Sequence, residues 1–111
     1  RVISLAGDGG AGMSVAALST AISEDAPITV VVANNCGLGM VRDNMKGEHY
    51  GVNYPPTNFA TIAKGMGCNA IEVTRSQDML DALREAEKMD GPCLIDVAVD
   101  PEASHHPASD Y

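Results

Sequence analysis

Two short apolar runs constrain this chain more than anything else in it. Val2-Ile3-Ser4-Leu5-Ala6 ends at Gly7-Asp8-Gly9, and Ile28-Thr29-Val30-Val31-Val32-Ala33 ends at Asn34-Asn35. Both runs are short, rich in Val and Ile, and bounded by Gly or Pro, the pattern of parallel strands buried on both faces. Parallel strands require a crossover, and a helix is predicted from about Ser14 to Glu24, with Ser14 as N-cap and Val15, Leu18 and Ile22 on one face. Asp25-Ala26-Pro27 ends it. The result is a βαβ unit with a glycine-rich turn, Gly7 to Gly12, between strand and helix.

The alternation continues. Residues 36–56 carry Gly37, Gly39, Gly47, Gly51, Pro55 and Pro56 and read as a long irregular loop with a turn of helix near Met40–Met45. Loops of that length in compact domains are as a rule functional or mobile. A helix is predicted at about Thr57–Gly65, capped by Thr57 or Asn58, with Phe59, Ile62, Ala63 and Met66 on one stripe. A strand at Ala70–Val73 follows, then a helix from Ser76 to about Met89 with Met79, Leu80, Leu83 and Ala86 inward. Asp90-Gly91-Pro92 stops that helix before a last strand at Cys93–Val99. The fold class expected is α/β, an open doubly wound parallel sheet with helices on both faces.

Such sheets bind ligands at the carboxyl ends of their strands. Asp8 and Asn35 stand at two of those ends, so their side chains could converge on one point. A hard divalent cation such as magnesium takes oxygen ligands, and the Asp8 carboxylate, the Asn35 amide oxygen and a following backbone carbonyl, that of Gly37, could supply the protein's share. Taken singly these are also turn and cap residues. Gly7, Gly9 and Gly12 satisfy a dinucleotide-binding pattern as well, but that fingerprint requires an acidic residue at the end of the second strand, where this chain has Asn34-Asn35.

The spacing of Gly7-Asp8-Gly9 and Asn34-Asn35, followed by Gly37-Leu38-Gly39-Met40-Val41, resembles the thiamine diphosphate-binding motif of thiamine-dependent enzymes, and most nearly their acetolactate synthase branch. Asn58-Phe59-Ala60-Thr61-Ile62-Ala63 and Gly91-Pro92-Cys93-Leu94-Ile95-Asp96-Val97 extend the resemblance over most of the chain. Asn44 stands where that branch has a tryptophan. The resemblance implies a diphosphate-binding domain over residues 1–99, truncated at its N-terminus, with a C-terminal tail over 100–111. It implies thiamine diphosphate and magnesium as cofactors: Asp8, Asn35 and the Gly37 carbonyl on the metal, Gly7, Gly9 and Gly10 at the diphosphate, and Met40 beside the thiazolium ring. For Met40 a place in the core is the competing reading. The N–H groups of Gly9 and Gly10 and the positive end of the helix near Ser14 would meet the phosphates.

No catalytic residue is expected in this chain. The family's catalytic glutamate belongs to a pyrimidine-binding domain of the same or a second subunit, so a homodimer or tetramer is implied, with a 2-oxo acid as substrate for decarboxylation or carboligation. An assembly fragment that retains only the fold is the alternative. Arg1 directly before a strand also suggests a piece of a longer protein.

With 7 basic and 15 acidic side chains and a formal charge of −8, neither a nucleic acid nor an anionic membrane is an expected partner. No membrane-spanning stretch or signal peptide is evident, which points to a cytoplasmic protein. Cys36, Cys68 and Cys93 are too far apart for a zinc pattern and are expected as reduced, mostly buried thiols. His49 could face the site from its loop, whereas His105 and His106 read as exposed residues of a polar tail. Arg42, Asp43, Lys46 and Glu48 read as hydrated loop surface, and Asp78, Asp81, Glu85 and Glu87 as the wet face of a helix.

Overall fold

The structure is a computed structural model, and it describes residues 1–103. His105, His106 and the rest of the expected tail from residue 104 lie outside the described residues. In chain order the elements are β1 (Val2–Gly7), α1 (Asp8–Ser14), α2 (Ala17–Ser23), β2 (Ile28–Asn34), α3 (Gly39–Asn44), α4 (Phe59–Gly65), β3 (Asn69–Val73), a 3-10 turn at Ser76–Asp78, α5 (Met79–Lys88) and β4 (Cys93–Ala98). All strand pairs are parallel, in the order β1-β2-β4-β3. Val32 and Leu94 pack with Ala11, Leu18, Phe59 and Ala63, whereas their neighbours Val31 and Ile95 pack with Ala82 and Ala86. Successive strand residues point to opposite faces, so α1, α2 and α4 cover one face and α5 the other. This is the open, doubly wound parallel sheet expected.

The two apolar runs have different fates. β2 is buried in mid-sheet, but β1 is an edge strand, and Ile3 and Leu5 are 63% and 76% exposed. Composition made β1 look like an interior strand. Its burial depends on the neighbours it has, and α5, on the face where Ile3 and Leu5 point, packs on β3 and β4.

The first helix also starts earlier than expected. α1 begins at Asp8, directly after an extended Gly7, and the Gly-Asp-Gly signal straddles the strand-to-helix junction. Ser14 is therefore no N-cap. It ends α1, its hydroxyl donating to the Gly10 carbonyl at 2.9 Å, and Val15-Ala16, helical in φ and ψ, form the turn that leads into α2. Three glycines in seven residues oppose a helix by propensity, each by about 1 kcal/mol. Packing of the buried Ala11 into the core overrides them.

Asn58 proves to be the cap of α4, accepting from the Thr61 amide at 2.6 Å. The α5 region differs from expectation at its start. Ser76 opens the 3-10 turn instead of capping the helix, and the half-exposed Leu80 points outward while Ala82 and Ala86 are buried. The small residues lie against the sheet because the helix sits close to it; Met79 and Leu83 flank them.

Candidate functional site

Strand register brings the two signals together. Gly7 pairs with Ala33 and Asn34 with Ala98, so Asp8 and Asn35 leave the sheet from adjacent strands one residue apart in register. Above those ends lies a cavity of about 310 Å³ lined by Gly7, Gly9, Gly10, Asn35, Gly37 and Met40, with Ala33, Leu38, Gly39, Val41 and Val99. Six of the seven expected site residues thus share one cavity. Asp8, the seventh, lines an apolar cavity of about 560 Å³ next to it, with Tyr54, Phe59 and Ile62; Gly9 and Leu38 line both.

Asp8 is 4% exposed, and each of its carboxylate oxygens accepts from a backbone amide. Oδ1 accepts from the Gly9 amide at 2.8 Å and Oδ2 from the Gly37 amide at 2.9 Å. Two N–H donors stabilise an ionised carboxylate in a place where bare burial would be prohibitive. The Asp8–Gly37 bond also ties the loop after β2 to the first residue of α1. Gly37 is further pinned by its bridge to Asn53, and a Cβ on it would stand 2.6 Å from the Val52 carbonyl oxygen. Cys36 just before it takes a left-handed conformation, φ 57°, to make this turn.

The paired asparagines divide. Asn34 serves the fold: its Nδ2 donates to Asp96 Oδ1 at 3.0 Å and to the Thr57 carbonyl at 2.8 Å. Asn35 faces the cavity, so close to Gly39 that a Cβ there would stand 2.5 Å from Asn35 Nδ2.

The glycines divide too. Gly9 has its amide taken up by Asp8, and a Cβ on it would meet Leu38 Cδ2 at 2.6 Å. Its lack of a side chain is thus required by packing and not only by a ligand's approach. Around Gly10 a Cβ would meet nothing within 4 Å, so the space beside it is open. Because α1 starts at Asp8, the helix end expected near Ser14 is replaced by the first turn that Gly9 and Gly10 themselves form. Met40 is 68% exposed on the cavity wall, which corrects the core reading.

Other candidates fall elsewhere. His49 is exposed in its loop and does not line the cavity. Arg42 is more than hydrated surface: it donates to Asn53 Oδ1 at 3.1 Å and to the Pro101 carbonyl. Cys68 and Cys93 are buried and Cys36 half-buried, all free; burial pushes the Cys68 and Cys93 thiols up, which keeps them neutral. Among the described residues no group of three or more His, Cys, Asp or Glu could hold a metal, and no helix is long and apolar enough to cross a membrane. Asp8 is the one carboxylate among the residues that line these two cavities.

Sequence reasoning missed three residues of this region. Asp96 is buried and anchors α4, accepting from the Phe59 and Ala60 amides at 2.7 and 3.4 Å. An aspartate within the apolar run Cys93–Val99 is the signal that could have found it, because a buried carboxylate must be partnered. Leu38 packs on Gly9. Tyr54 lies beside Asp8, and burial first, then the Asp8 charge, pushes its phenol above the ordinary value, so it remains a hydrogen-bond donor.

A family model described as "Thiamine pyrophosphate enzyme, C-terminal TPP binding domain" matches residues 1–97. The chain is 35% identical over 119 residues to an acetolactate synthase large subunit of Corynebacterium glutamicum, covering 96% of this chain and 19% of that protein. It is 30% identical over 105 residues to a pyruvate oxidase of Lactiplantibacillus plantarum, covering 89% and 17% respectively. Among solved structures it is similar to a Rhodococcus jostii RHA1 thiamine diphosphate-dependent 4-hydroxybenzoylformate decarboxylase, with TM-score 0.84 and 32% identity over 90% of this chain and 20% of that one. The chain spans about a fifth of the length of these relatives.

Proposed function

Because the chain belongs to the thiamine pyrophosphate enzyme family, as its C-terminal TPP binding domain, we propose that it anchors the diphosphate of thiamine diphosphate through magnesium. The observation that carries this reading is the buried Asp8 carboxylate, held by two amides beside a cavity that no described basic side chain lines. A diphosphate placed there would face a fixed negative charge. Only a cation between them makes the arrangement favourable, and a divalent ion that takes oxygen ligands and keeps phosphate oxygens in its shell suits the donor set. The residues therefore fit the group.

In this reading Asp8, the Asn35 amide oxygen and the Gly37 carbonyl hold the metal, Gly7 and Gly10 border the diphosphate, and Met40 forms the wall beside the ring. The carboxylate can do this because the Gly9 and Gly37 amides hold it in place before any ligand arrives, so less ordering remains at binding. Bound thiamine diphosphate would supply an electron sink for breaking or making a bond next to a carbonyl, which suits a 2-oxo acid as the parent's substrate. The acid–base glutamate would come from a pyrimidine-binding domain of the same or a second subunit, with a homodimer or tetramer as the assembly and the cytoplasm as its place. Residues 1–99 would form the anchoring domain.

A cofactor titration of the parent protein tests this. Saturable thiamine diphosphate binding that is lost in chelator and restored by magnesium is expected, with no binding of NAD. Equal binding with and without metal would sink the reading. Gly10→Ala sharpens the test: inside α1 it should raise stability by up to about 1 kcal/mol. The added methyl would intrude on the diphosphate, weakening cofactor binding roughly 10- to 100-fold. Thermal denaturation and the same titration measure both effects; unchanged affinity would move the diphosphate away from Gly10.

A further inference from the structure

Tyr54 is the residue beside Asp8 to which the proposed anchoring role assigns no part. Its backbone is held with the loop that positions Gly37: Leu38 N donates to the Val52 carbonyl at 2.7 Å, Tyr54 N to the Cys36 carbonyl at 3.2 Å, and Gly37 bridges Asn53. The Tyr54 backbone and the turn at Gly37 are therefore tied to each other. The ring lines the apolar cavity with Asp8 and Gly9, and its hydroxyl lies 3.4 Å from where a Cβ on Gly9 would stand. That hydroxyl oxygen is buried and, among the described residues, has no hydrogen-bond partner.

A buried, unpaired hydroxyl is uncommon because it gives up its bonds to water without replacement. The neighbouring carboxylate shows what could satisfy it. An ionised carboxylate has about four acceptor positions on its two oxygens. In Asp8 the Gly9 amide uses one on Oδ1 and the Gly37 amide one on Oδ2. Two remain.

We propose that Tyr54 is a positioning residue for the cation: with a divalent metal on the third acceptor position of Asp8, the Tyr54 hydroxyl donates to the fourth and locks the carboxylate's orientation. This rests on the reading of Asp8 as a metal ligand. In the metal-free protein the hydroxyl already lies close to Asp8 without a well-formed hydrogen bond; in the loaded protein that bond is completed, so it favours loading.

The test is Tyr54→Phe in the parent protein, read in two ways. Thermal unfolding in chelator reports the metal-free fold. Magnesium titration at saturating thiamine diphosphate, followed by calorimetry, reports metal affinity. Removing an unpaired buried hydroxyl should leave the metal-free midpoint equal or higher, while magnesium affinity falls about tenfold or more, the worth of a hydrogen bond to a charged group. A ring that merely packs would move neither quantity, or both in the same direction, and either result overturns the proposal. If wild-type protein requires magnesium and Tyr54→Phe binds it equally well, Tyr54 has no positioning role although Asp8 keeps its own. If wild-type binding ignores magnesium, the metal reading fails first and this proposal fails with it.

Discussion

Asp8→Ala in the parent protein is expected to remove magnesium-dependent thiamine diphosphate binding, weakening it by more than about 100-fold, since even residues that only support a metal ligand are worth roughly 10- to 100-fold. Asp8 provides the one negative charge among the proposed ligands, and the remaining donors, an amide and a carbonyl oxygen, cannot hold a strongly hydrated cation alone. The substitution has a second consequence. The Gly37 amide, bonded to Asp8 Oδ2 in a buried position, loses its partner. An orphaned buried donor costs about 1–3 kcal/mol, so the metal-free protein should also unfold more easily. Asp8→Asn separates the two effects: it retains the shape and one acceptor oxygen, so most stability should survive while metal binding does not. Isothermal titration beside urea unfolding measures both. Affinity indistinguishable from wild type in Asp8→Ala would remove this residue from the metal.

The largest stability effect is expected away from the proposed ligands. Asp96 accepts from the amides of Phe59 and Ala60 at the start of α4 and from Asn34 Nδ2 at the end of β2. It joins the middle of the sheet, a helix N-terminus and the strand that leads to Asn35. Asp96→Ala leaves buried donors unpaired and removes a negative charge from the positive end of α4, a loss of about 3 to 5 kcal/mol. Asp96→Asn keeps an acceptor oxygen and should lose less, about 1–2 kcal/mol. Urea midpoints at constant m-value check this, and an Asp96→Ala midpoint near wild type would mean that α4 finds another cap. Because Asn34 loses its Asp96 bond, the variant should also bind cofactor more weakly while it is still folded.

Legibility in the sequence followed the range of the interaction concerned. β2, α4 and β4 were readable because their own residues specify them: a Val-rich run, an Asn58 cap, and a run opened by Gly91-Pro92. β1 was readable as a strand but not as an edge, since the same Val-Ile-Ser-Leu-Ala would be buried with a neighbour on its free side. The start of α1 was misread because glycine propensity is local, whereas the packing of Ala11 that overrides it joins α1 to β2 and β4. Asp96 and Tyr54 were not recognised because their significance lies wholly in their partners. Asn34 lies 62 residues from Asp96, and the Tyr54 ring reaches the start of α1 from within the irregular stretch 45–58.

Sequence alone determined the alternation of strands and helices, the family resemblance and the position of Asp8 and Asn35 at two strand ends, because periodicity, turn chemistry and motif spacing are written in neighbouring residues. Only the tertiary structure decided which of two identical asparagines faces the cavity and which secures α4, that Gly9 is required by Leu38 while Gly10 borders open space, and that Asp8 is held by the amide of Gly37. The reason is physical. Adjacent residues at a strand's end point in opposite directions, and what each one meets there is set by segments that only folding brings near.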